Sequence, residues 1–179
     1  MVKIYVDMDN VLTDFSQAVQ NLGPEAAQGL VKESSPEQKE LMYRIIERMG
    51  PTFWSSMEWL EEGRKLWNYI KSYNPVILSS PGQYPGRFMD NAKMGKQVWL
   101  TDNLPGVTYI LTPDKYQYAE RNAILIDDMK ENCDSWAQSD GIPILFDGSA
   151  DNALTLLNNI LNDKLISAAV KNALSLSRM

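Results

Sequence analysis

The stretch Lys3–Asp9, KIYVDMD, joins a short run of β-branched and aromatic residues directly to a pair of aspartates. The run predicts a strand over Lys3–Val6, and the polar cluster after it predicts where that strand ends. Asp7 and Asp9 would then lie at the carboxyl end of a strand, where open α/β sheets bind their ligands. Because two neighbouring negative charges are costly without a cation, the pair indicates a metal site.

Taken alone, the Asp-x-Asp pair leaves alternatives open. It is also found as the metal motif of glycosyltransferases, at the start of loops and in solvated turns. A calcium-binding EF-hand is excluded, because Leu12 stands where that loop needs glycine and Ala18 where it needs a bidentate glutamate. The choice between the remaining readings depends on the rest of the chain.

The composition limits the chemistry. The 179 residues include no histidine and one cysteine, Cys133, which excludes Ser-His-Asp and Cys-His catalysis, imidazole metal ligands and an intrachain disulfide. Acid–base chemistry then falls mainly to carboxylates, and a bound metal would be an oxygen-liganded ion such as Mg²⁺.

The same composition predicts a cytoplasmic protein. A lone cysteine fits a reducing compartment, the N-terminus has no signal-peptide pattern, and no 18-residue apolar run predicts a membrane span. The net charge of −6 and the scattered lysines and arginines argue against non-specific nucleic-acid binding.

Four further apolar runs predict strands, and runs of this kind are typical of a parallel sheet covered on both faces. They span residues 75–78, 107–111, 123–126 and 143–146. Helical segments are predicted between them, over residues 61–73, 85–100, 129–138 and 149–161. This alternation predicts an α/β fold with a mainly parallel sheet flanked by helices.

Residues 16–60 interrupt the alternation and contain no convincing strand. Ser35 and Gln38 form a capping box around Pro36, which predicts a helix start. An apolar stripe continues that helix: Leu41, Met42, Ile45, Ile46 and Met49. We interpret this segment as a small helical cap inserted after the first strand.

The chain then divides into a core domain, residues 1–15 and 61–179, and the cap of residues 16–60. Residues 164–177 have the apolar pattern of a final helix. We expect that helix to pack on the core or on a second subunit, which leaves a homodimer open.

Polar residues follow three of the later strands. Ser79 and Ser80 come at the end of the second strand, Lys115 just after the third, and Asp127 and Asp128 at the end of the fourth. Singly, each has an ordinary reading as a helix cap or a surface charge. Together, they would bring a nucleophile, a hydroxyl donor, a positive charge and a metal clamp to one edge of the sheet.

The ordered set DMDNVLTDF (7–15), ILSSP (77–81), TPDK (112–115) and LIDDMKEN (125–132) is similar to the four motifs of the haloacid dehalogenase superfamily of aspartate-nucleophile phosphatases. Within it, the sequence most resembles the 5′(3′)-deoxyribonucleotidases, over about residues 2–147 and weakly in the cap. The resemblance implies a Rossmann-like core and a Mg²⁺-dependent phosphomonoesterase. Its partner would be a small phosphate ester, a (deoxy)nucleoside monophosphate.

The resemblance also implies roles for the acids. Asp7 would be the nucleophile that forms an aspartyl phosphate. Asp9 would protonate the leaving alcohol and then take a proton from the hydrolytic water. Mg²⁺ would bind the Asp7 carboxylate, the Asp9 backbone carbonyl and one carboxylate of Asp127 and Asp128.

The remaining site residues would contact the substrate. Ser79, with Ser80 beside it, would bind the phosphate, and Lys115 would balance the charge that develops during transfer. Phe15 matches a position that contacts substrate in the family. Lys96 is a competing lysine, but because it falls on a predicted helix we expect it at the surface.

Two departures from the family pattern concern substrate contacts. Ser79 stands where the deoxyribonucleotidases usually carry threonine, which keeps the hydroxyl. Pro113 stands where mammalian members have arginine, so narrow nucleotide selectivity is not expected. Phe53, Trp54 and Trp59 could stack a nucleobase, but we expect them to pack the cap on the core.

Three other functions stay open at this point. The chain could be a phosphatase of the same superfamily for another small phosphate ester, or for a nucleic-acid 3′-phosphate end. It could also be a non-catalytic module that binds phosphate or Mg²⁺. The absence of a basic run argues against the nucleic-acid end, and four intact motifs argue against the module.

Overall fold

A sheet of five parallel strands lies at the centre of the computed structural model, which describes residues 2–176 except 83 and 85 and, over 164–176, the backbone alone. The strands are β1 (Lys3–Val6), β2 (Val76–Ser79), β3 (Tyr109–Leu111), β4 (Ala123–Asp127) and β5 (Ile142–Leu145). Their order across the sheet is β3-β2-β1-β4-β5. All five strands predicted from the sequence are present, within one or two residues.

Eight α-helices and three short 3₁₀ turns complete the described fold. The helices are α1 (Phe15–Gln20), α2 (Pro24–Ala27), α3 (Pro36–Met49), α4 (Thr52–Ser55), α5 (Glu61–Ile70), α6 (Phe88–Asn103), α7 (Lys130–Gln138) and α8 (Ala150–Leu176). The 3₁₀ turns are Gln28–Leu30, Lys71–Tyr73 and Lys115–Tyr118. The predicted α/β class with a mainly parallel sheet is confirmed.

Helix α3 begins where the capping box predicts. Ser35 Oγ accepts a hydrogen bond from the Gln38 backbone N–H at 3.3 Å, and Gln38 Oε1 accepts one from the Ser35 N–H at 2.8 Å. The predicted apolar stripe is too wide, however. Met42 and Ile46 are buried, whereas Leu41 and Met49 are exposed, because only a narrow face of α3 meets the rest of the protein.

The order of the strands places the first acid pair at the centre of the sheet edge. β1 pairs with β2 on one side and with β4 on the other, which is the point where the strand order reverses. The backbone N–H of Asp7 donates to the Ile126 carbonyl at 2.9 Å, so the β1–β4 ladder continues one residue past β1. Ligands of open α/β sheets bind at this kind of position.

One continuous hydrophobic core joins the sheet to the helical segment between β1 and α5. Ile4 and Val6 of β1 belong to the same buried cluster as Met42, Ile46 and Trp54. The division of the chain into a core domain and a cap stays a prediction. None of the helices among the described residues is both long and apolar enough to cross a membrane.

Helix α8 runs through the end of the described chain, so the final helix predicted over 164–177 continues α8 as far as Leu176. The side chains of residues 164–176 lie outside the described part of the chain. Packing of this helix on the core or on a second subunit is therefore still a prediction.

A close backbone contact fixes the loop that follows the acid pair. A Cβ on Gly63 of α5 would lie 2.1 Å from the Val11 carbonyl oxygen and 2.8 Å from Leu12 Cα. The Leu60 N–H also donates to the Leu12 carbonyl at 2.9 Å. Since Val11 and Leu12 are fully buried, the loop has no room to move away from a larger residue.

We expect Gly63→Ala to lower the free energy of unfolding by about 1–3 kcal/mol, although alanine favours a helix over glycine by about 1 kcal/mol. Denaturant unfolding measures this change. The control is Glu61→Ala, an exposed position on the same helix, which should stay within about 0.5 kcal/mol of the parent. Equal stabilities for the two variants would contradict the close contact.

Candidate active site

Two acid pairs meet at the carboxyl edge of the sheet. Asp7 follows β1, Asp127 ends β4 and Asp128 comes directly after it. One carboxylate oxygen from each of these three residues lies within 4.8 Å of the others. Asp9 lies on the loop after β1, and it lines the same cavity as Asp7 and Asp128. The structure therefore brings together the four acids that the sequence singled out.

Lys115 lies between the two acid pairs. Its Nζ is 2.8 Å from Asp7 Oδ1 and 2.6 Å from Asp127 Oδ2, and the side chain is almost fully buried. Burial alone would lower the pKa of Lys115, but Asp7 and Asp127 outweigh it, so this pKa lies above its ordinary value. Lys115 is consequently a permanent positive charge beside Asp7.

Lys96 is not at the surface, and the expectation from its helical position is wrong. Only 1% of the residue is exposed. Its Nζ donates to Asp9 Oδ2 at 2.7 Å, to Ser79 Oγ at 2.9 Å and to the Ser80 carbonyl at 2.7 Å. Lys96 therefore lies on the buried face of α6, which packs against the sheet edge that carries Asp9 and Ser79.

Asn132 of α7 holds Asp127 in place. Its Nδ2 donates to Asp127 Oδ1 at 2.9 Å and to Oδ2 at 3.1 Å, and the Met129 N–H donates to Oδ1 at 2.9 Å. Sequence reasoning quoted the motif that ends in Asn132 but gave this residue no role. An amide one helical turn after an acid pair was the available signal.

Asn10 was also missed. It adopts a left-handed backbone conformation (φ 56°), which asparagine tolerates better than most residues. Its Oδ1 accepts hydrogen bonds from Ser16 N at 3.0 Å and from Ser16 Oγ at 2.9 Å, and its side chain also bonds Asp128. Asn10 thus links the loop after β1 to the second acid pair.

The acids raise one another's affinity for protons. Removal from water, opposed by Lys96 and reinforced by Asp7, raises the pKa of Asp9 above its usual value. Burial, with Asp7 and Asp127 nearby, raises the pKa of Asp128 to about 7. Each shift is caused mainly by burial of the carboxyl group, and the neighbouring acids add to it.

The donor set fits a hard divalent cation. Asp7 Oδ1 and Asp9 Oδ1 are buried oxygens without a hydrogen-bond donor among the described residues, although Asp7 Oδ1 is ion-paired with Lys115. Clustered carboxylate oxygens are the ligands that Mg²⁺ and Ca²⁺ take. Asp7, Asp127 and Asp128 are therefore the residues that could hold such an ion.

Aromatic rings form the wall of the cavity above the acids. The cavity has a volume of about 380 Å³, and Phe15, Tyr43, Trp54 and Phe88 line it together with the polar residues. The rings of Tyr43 and Phe88 are 5.3 Å apart between centroids, and those of Trp54 and Phe88 5.0 Å. Tyr43 and Phe88 were not predicted, because neither stands in a motif.

The three cap aromatics considered from the sequence have different positions. Phe53 is buried between Phe15 and Trp54. Trp59 packs against Trp99 in a tilted arrangement with centroids 4.9 Å apart, and its Nε1 donates to Asn103 Oδ1. Both residues pack the structure together, whereas Trp54 is buried and also lines the cavity.

Comparison with known families decides the affiliation. The model of the family described as 5′ nucleotidase, deoxy (pyrimidine), cytosolic type C protein (NT5C) matches residues 1–159. The chain belongs to this family. It is an enzyme of the nucleotidase type, a phosphatase of the haloacid dehalogenase superfamily, and this confirms the affiliation indicated by the four motifs.

Solved structures show the same fold at low sequence identity. A hydrolase from Pseudomonas syringae superposes with a TM-score of 0.52 at 12% identity, over 89% of this chain and 99% of that one. A haloacid dehalogenase-like hydrolase from Streptococcus pneumoniae gives 0.50 at 13%, over 87% and 90%. A phosphonoacetaldehyde hydrolase-like protein from Oleispira antarctica gives 0.50 at 8%, over 83% and 73%. Curated protein sequences give no significant match.

The raised pKa of Asp128 predicts that Mg²⁺ affinity increases with pH. A carboxyl with a pKa of about 7 is protonated at pH 5.5 and must lose that proton to bind a cation. Calorimetric titration should therefore show Mg²⁺ binding roughly ten- to thirtyfold tighter at pH 8 than at pH 5.5. Without metal, the folded protein should lose stability as the pH rises from about 4 to 7, because the unfolded chain releases this proton more readily.

The matched pair for this titration is Asp128→Asn and Asp102→Asn. The first should weaken Mg²⁺ binding and flatten its pH dependence. The second removes an exposed carboxylate near the end of α6 and should behave like the parent. Identical titrations for both variants would show that Asp128 does not bind the ion.

Proposed function

We propose that the protein is a Mg²⁺-dependent phosphomonoesterase that dephosphorylates (deoxy)nucleoside monophosphates through an aspartyl phosphate. The observation that carries this proposal is the convergence of Asp7, Asp9, Ser79 and Lys115 on one cavity with an aromatic wall. Membership in the cytosolic deoxynucleotidase family supports it.

In the first step, a carboxylate oxygen of Asp7 attacks the phosphorus of the ester, and the bond from phosphorus to the alcohol oxygen breaks. Asp9 gives its proton to that oxygen, which leaves as the alcohol. Its raised pKa favours the protonated form that this step needs. Lys115, 2.8 Å from Asp7 Oδ1, offsets the negative charge next to the transferred group.

In the second step, water attacks the phosphorus of the aspartyl phosphate while Asp9 takes the proton of that water. The bond to Asp7 breaks, inorganic phosphate leaves and both carboxyl groups return to their starting state. Ser79 donates its hydroxyl to a phosphoryl oxygen, and Ser80 supports the loop by accepting the Gly82 N–H at 3.0 Å. Two carboxyl groups thus do the work for which many hydrolases use histidine.

Asp7 and the pair Asp127 and Asp128 would hold the Mg²⁺ ion, together with the backbone carbonyl of Asp9, which the family resemblance implies as a ligand. When bound, the ion offsets the mutual repulsion of the carboxylates and the incoming phosphate. The second acid pair therefore serves binding, while the chemistry falls to Asp7 and Asp9.

The shape and polarity of the cavity favour a substrate with a flat apolar group. The acids line its floor, and Phe15, Tyr43, Trp54 and Phe88 line its wall. A nucleobase that stacks on such rings gains about 1–3 kcal/mol. A volume of about 380 Å³ also lies within the range of small-ligand sites.

We also propose that the protein works in the cytoplasm on a freely diffusing phosphate ester. Its single cysteine, Cys133, is buried with its thiol near the Asp127 carbonyl. Burial raises the pKa of that thiol to about 12, so it is held in the neutral, unreactive form. A free, buried and unreactive thiol is compatible with a reducing compartment.

Asp7→Asn should abolish phosphate release, by at least 10³-fold in kcat, because an amide cannot form the covalent intermediate. Phosphate release from nucleoside monophosphates with Mg²⁺ measures it. The control Asp14→Asn removes an equal charge from the residue that caps α1 and should keep near-parental turnover, because asparagine also caps helices. Hydrolysis of an aryl phosphate by Asp7→Asn would remove Asp7 as the nucleophile.

A substrate panel tests the aromatic wall. We expect nucleoside and deoxynucleoside monophosphates to have higher kcat/KM values than sugar phosphates. Phe15→Leu should narrow that preference by roughly tenfold, since it removes a stacking ring but keeps an apolar side chain. A preference for sugar phosphates would leave the hydrolytic chemistry in place and refute the nucleotidase assignment.

A further inference from the structure

Lys96 is a buried charged residue to which the proposed reaction assigns no role. It is carried by α6, a helix that contributes no motif residue, and it is almost fully buried. Its three contacts are Asp9 Oδ2, Ser79 Oγ and the Ser80 carbonyl oxygen, all within 2.9 Å. Two of these partners have roles in the proposed reaction: Asp9 as the general acid, and Ser79 as a hydrogen-bond donor to the phosphoryl group.

The direction of these hydrogen bonds is fixed by chemistry. A lysine ammonium group has three donors and no acceptor, so Ser79 Oγ accepts from Lys96. The hydroxyl hydrogen of Ser79 must then point away from Lys96, and Ser79 borders the cavity. A phosphoryl oxygen in the cavity is an acceptor for that hydrogen.

The same reasoning applies to Asp9. Lys96 binds Oδ2, which leaves Oδ1 as the buried oxygen without a hydrogen-bond donor among the described residues. Both oxygens are thereby made different, one bound to the cation and the other available for a proton. A carboxyl with two equivalent free oxygens would have to be oriented by the substrate itself.

We propose that Lys96 is a positioning residue that aligns the Ser79 hydroxyl and the Asp9 carboxyl for one and the same phosphoryl group. This inference rests on the proposed function, since it assigns Lys96 a part in that reaction. The three acceptors occupy all its N–H groups, so Lys96 acts through Ser79 and Asp9, not by contact with substrate. Lys115, which bonds Asp7 and Asp127, has a separate task.

The test compares Lys96→Met with Lys93→Met. Methionine keeps the length and apolar volume of the lysine stem, and Lys93, three residues earlier on α6, is partly exposed where Lys96 is buried. We expect Lys96→Met to lower kcat on a nucleoside monophosphate about 10²-fold. It should lower kcat on p-nitrophenyl phosphate less, about tenfold, because that leaving group departs without a proton. Lys93→Met should stay within twofold on both.

Two further measurements separate positioning from simple loss of structure. Calorimetry with inorganic phosphate should show about tenfold weaker binding by Lys96→Met, since the Ser79 donor is no longer held. In the Ser79→Ala background, Lys96→Met should cost less than it does in the parent, because part of its effect passes through Ser79. A purely structural lysine would reduce the folded fraction and leave both quantities unchanged per folded molecule.

Folding is checked by near-ultraviolet circular dichroism, because removal of Lys96 leaves a buried carboxylate without its partner. If Lys96→Met does not fold, Lys96→Gln takes its place. Its amide can still donate a hydrogen bond but carries no charge. The kcat of Lys96→Gln is then expected to lie between that of the parent and that of Ser79→Ala.

The outcomes are distinct. Equal losses of kcat on both phosphates, with unchanged phosphate affinity and additive effects with Ser79→Ala, would overturn the role of Lys96. A parent protein that hydrolyses no phosphate ester would refute the proposed function instead. Calorimetric titration of the variants with inorganic phosphate would then still decide whether Lys96 orients the Ser79 hydroxyl toward bound phosphate.

Discussion

Four carboxylates gathered at one sheet edge, largely away from water, are the constraint on which this structure depends. Asp7, Asp9, Asp127 and Asp128 bring four negative charges, and Lys96 and Lys115 offset two of them. The remaining two charges would be costly in a medium of low dielectric constant unless protons or a divalent cation neutralised them. Burial, together with the neighbouring acids, raises the pKa values of Asp9 and Asp128, and a bound divalent cation would relieve the repulsion among these groups.

The parallel sheet makes this gathering possible for residues far apart in the chain. Parallel strands have all their carboxyl ends at one edge, so the residues after β1, β2 and β4 become neighbours whatever their separation in sequence. Short backbone contacts then fix the loops: the Asp7 N–H extends the β1–β4 ladder, and Gly63 holds the loop after β1 against α5. Main-chain packing thus fixes the loops, and side-chain bonds from Lys96, Lys115 and Asn132 hold the acids and Ser79 on them.

The sequence predicts what strands and their ends determine, and it fails where a helix contributes. The strands and the acid pairs after them could be placed because apolar runs followed by carboxylates have one simple explanation in an α/β fold. Lys96 could not be placed by the same logic, since a lysine on a helix is usually exposed. The signal was its spacing: Ala92, Trp99 and Leu100 on the same helix are buried, and Lys96 falls on their stripe at i+4, i−3 and i−4. Tyr43 and Phe88 are different, because only tertiary packing brings them to the cavity.

Helix α6 connects the two halves of the site. Its Gly95 packs so closely that a Cβ there would lie 2.2 Å from the Pro51 carbonyl and 2.8 Å from Trp54 Cβ, and the next residue, Lys96, bonds Asp9 and Ser79. At its N-terminal end, Asn91 Nδ2 donates to the Glu47 carbonyl of α3 at 3.2 Å. A shift of α3, which carries Tyr43, or of α4, which carries Trp54, would therefore move α6 and with it Lys96. The aromatic wall and the acidic floor share one rigid element, and this links the fit of the apolar part of a substrate to the alignment of the groups that act on its phosphate.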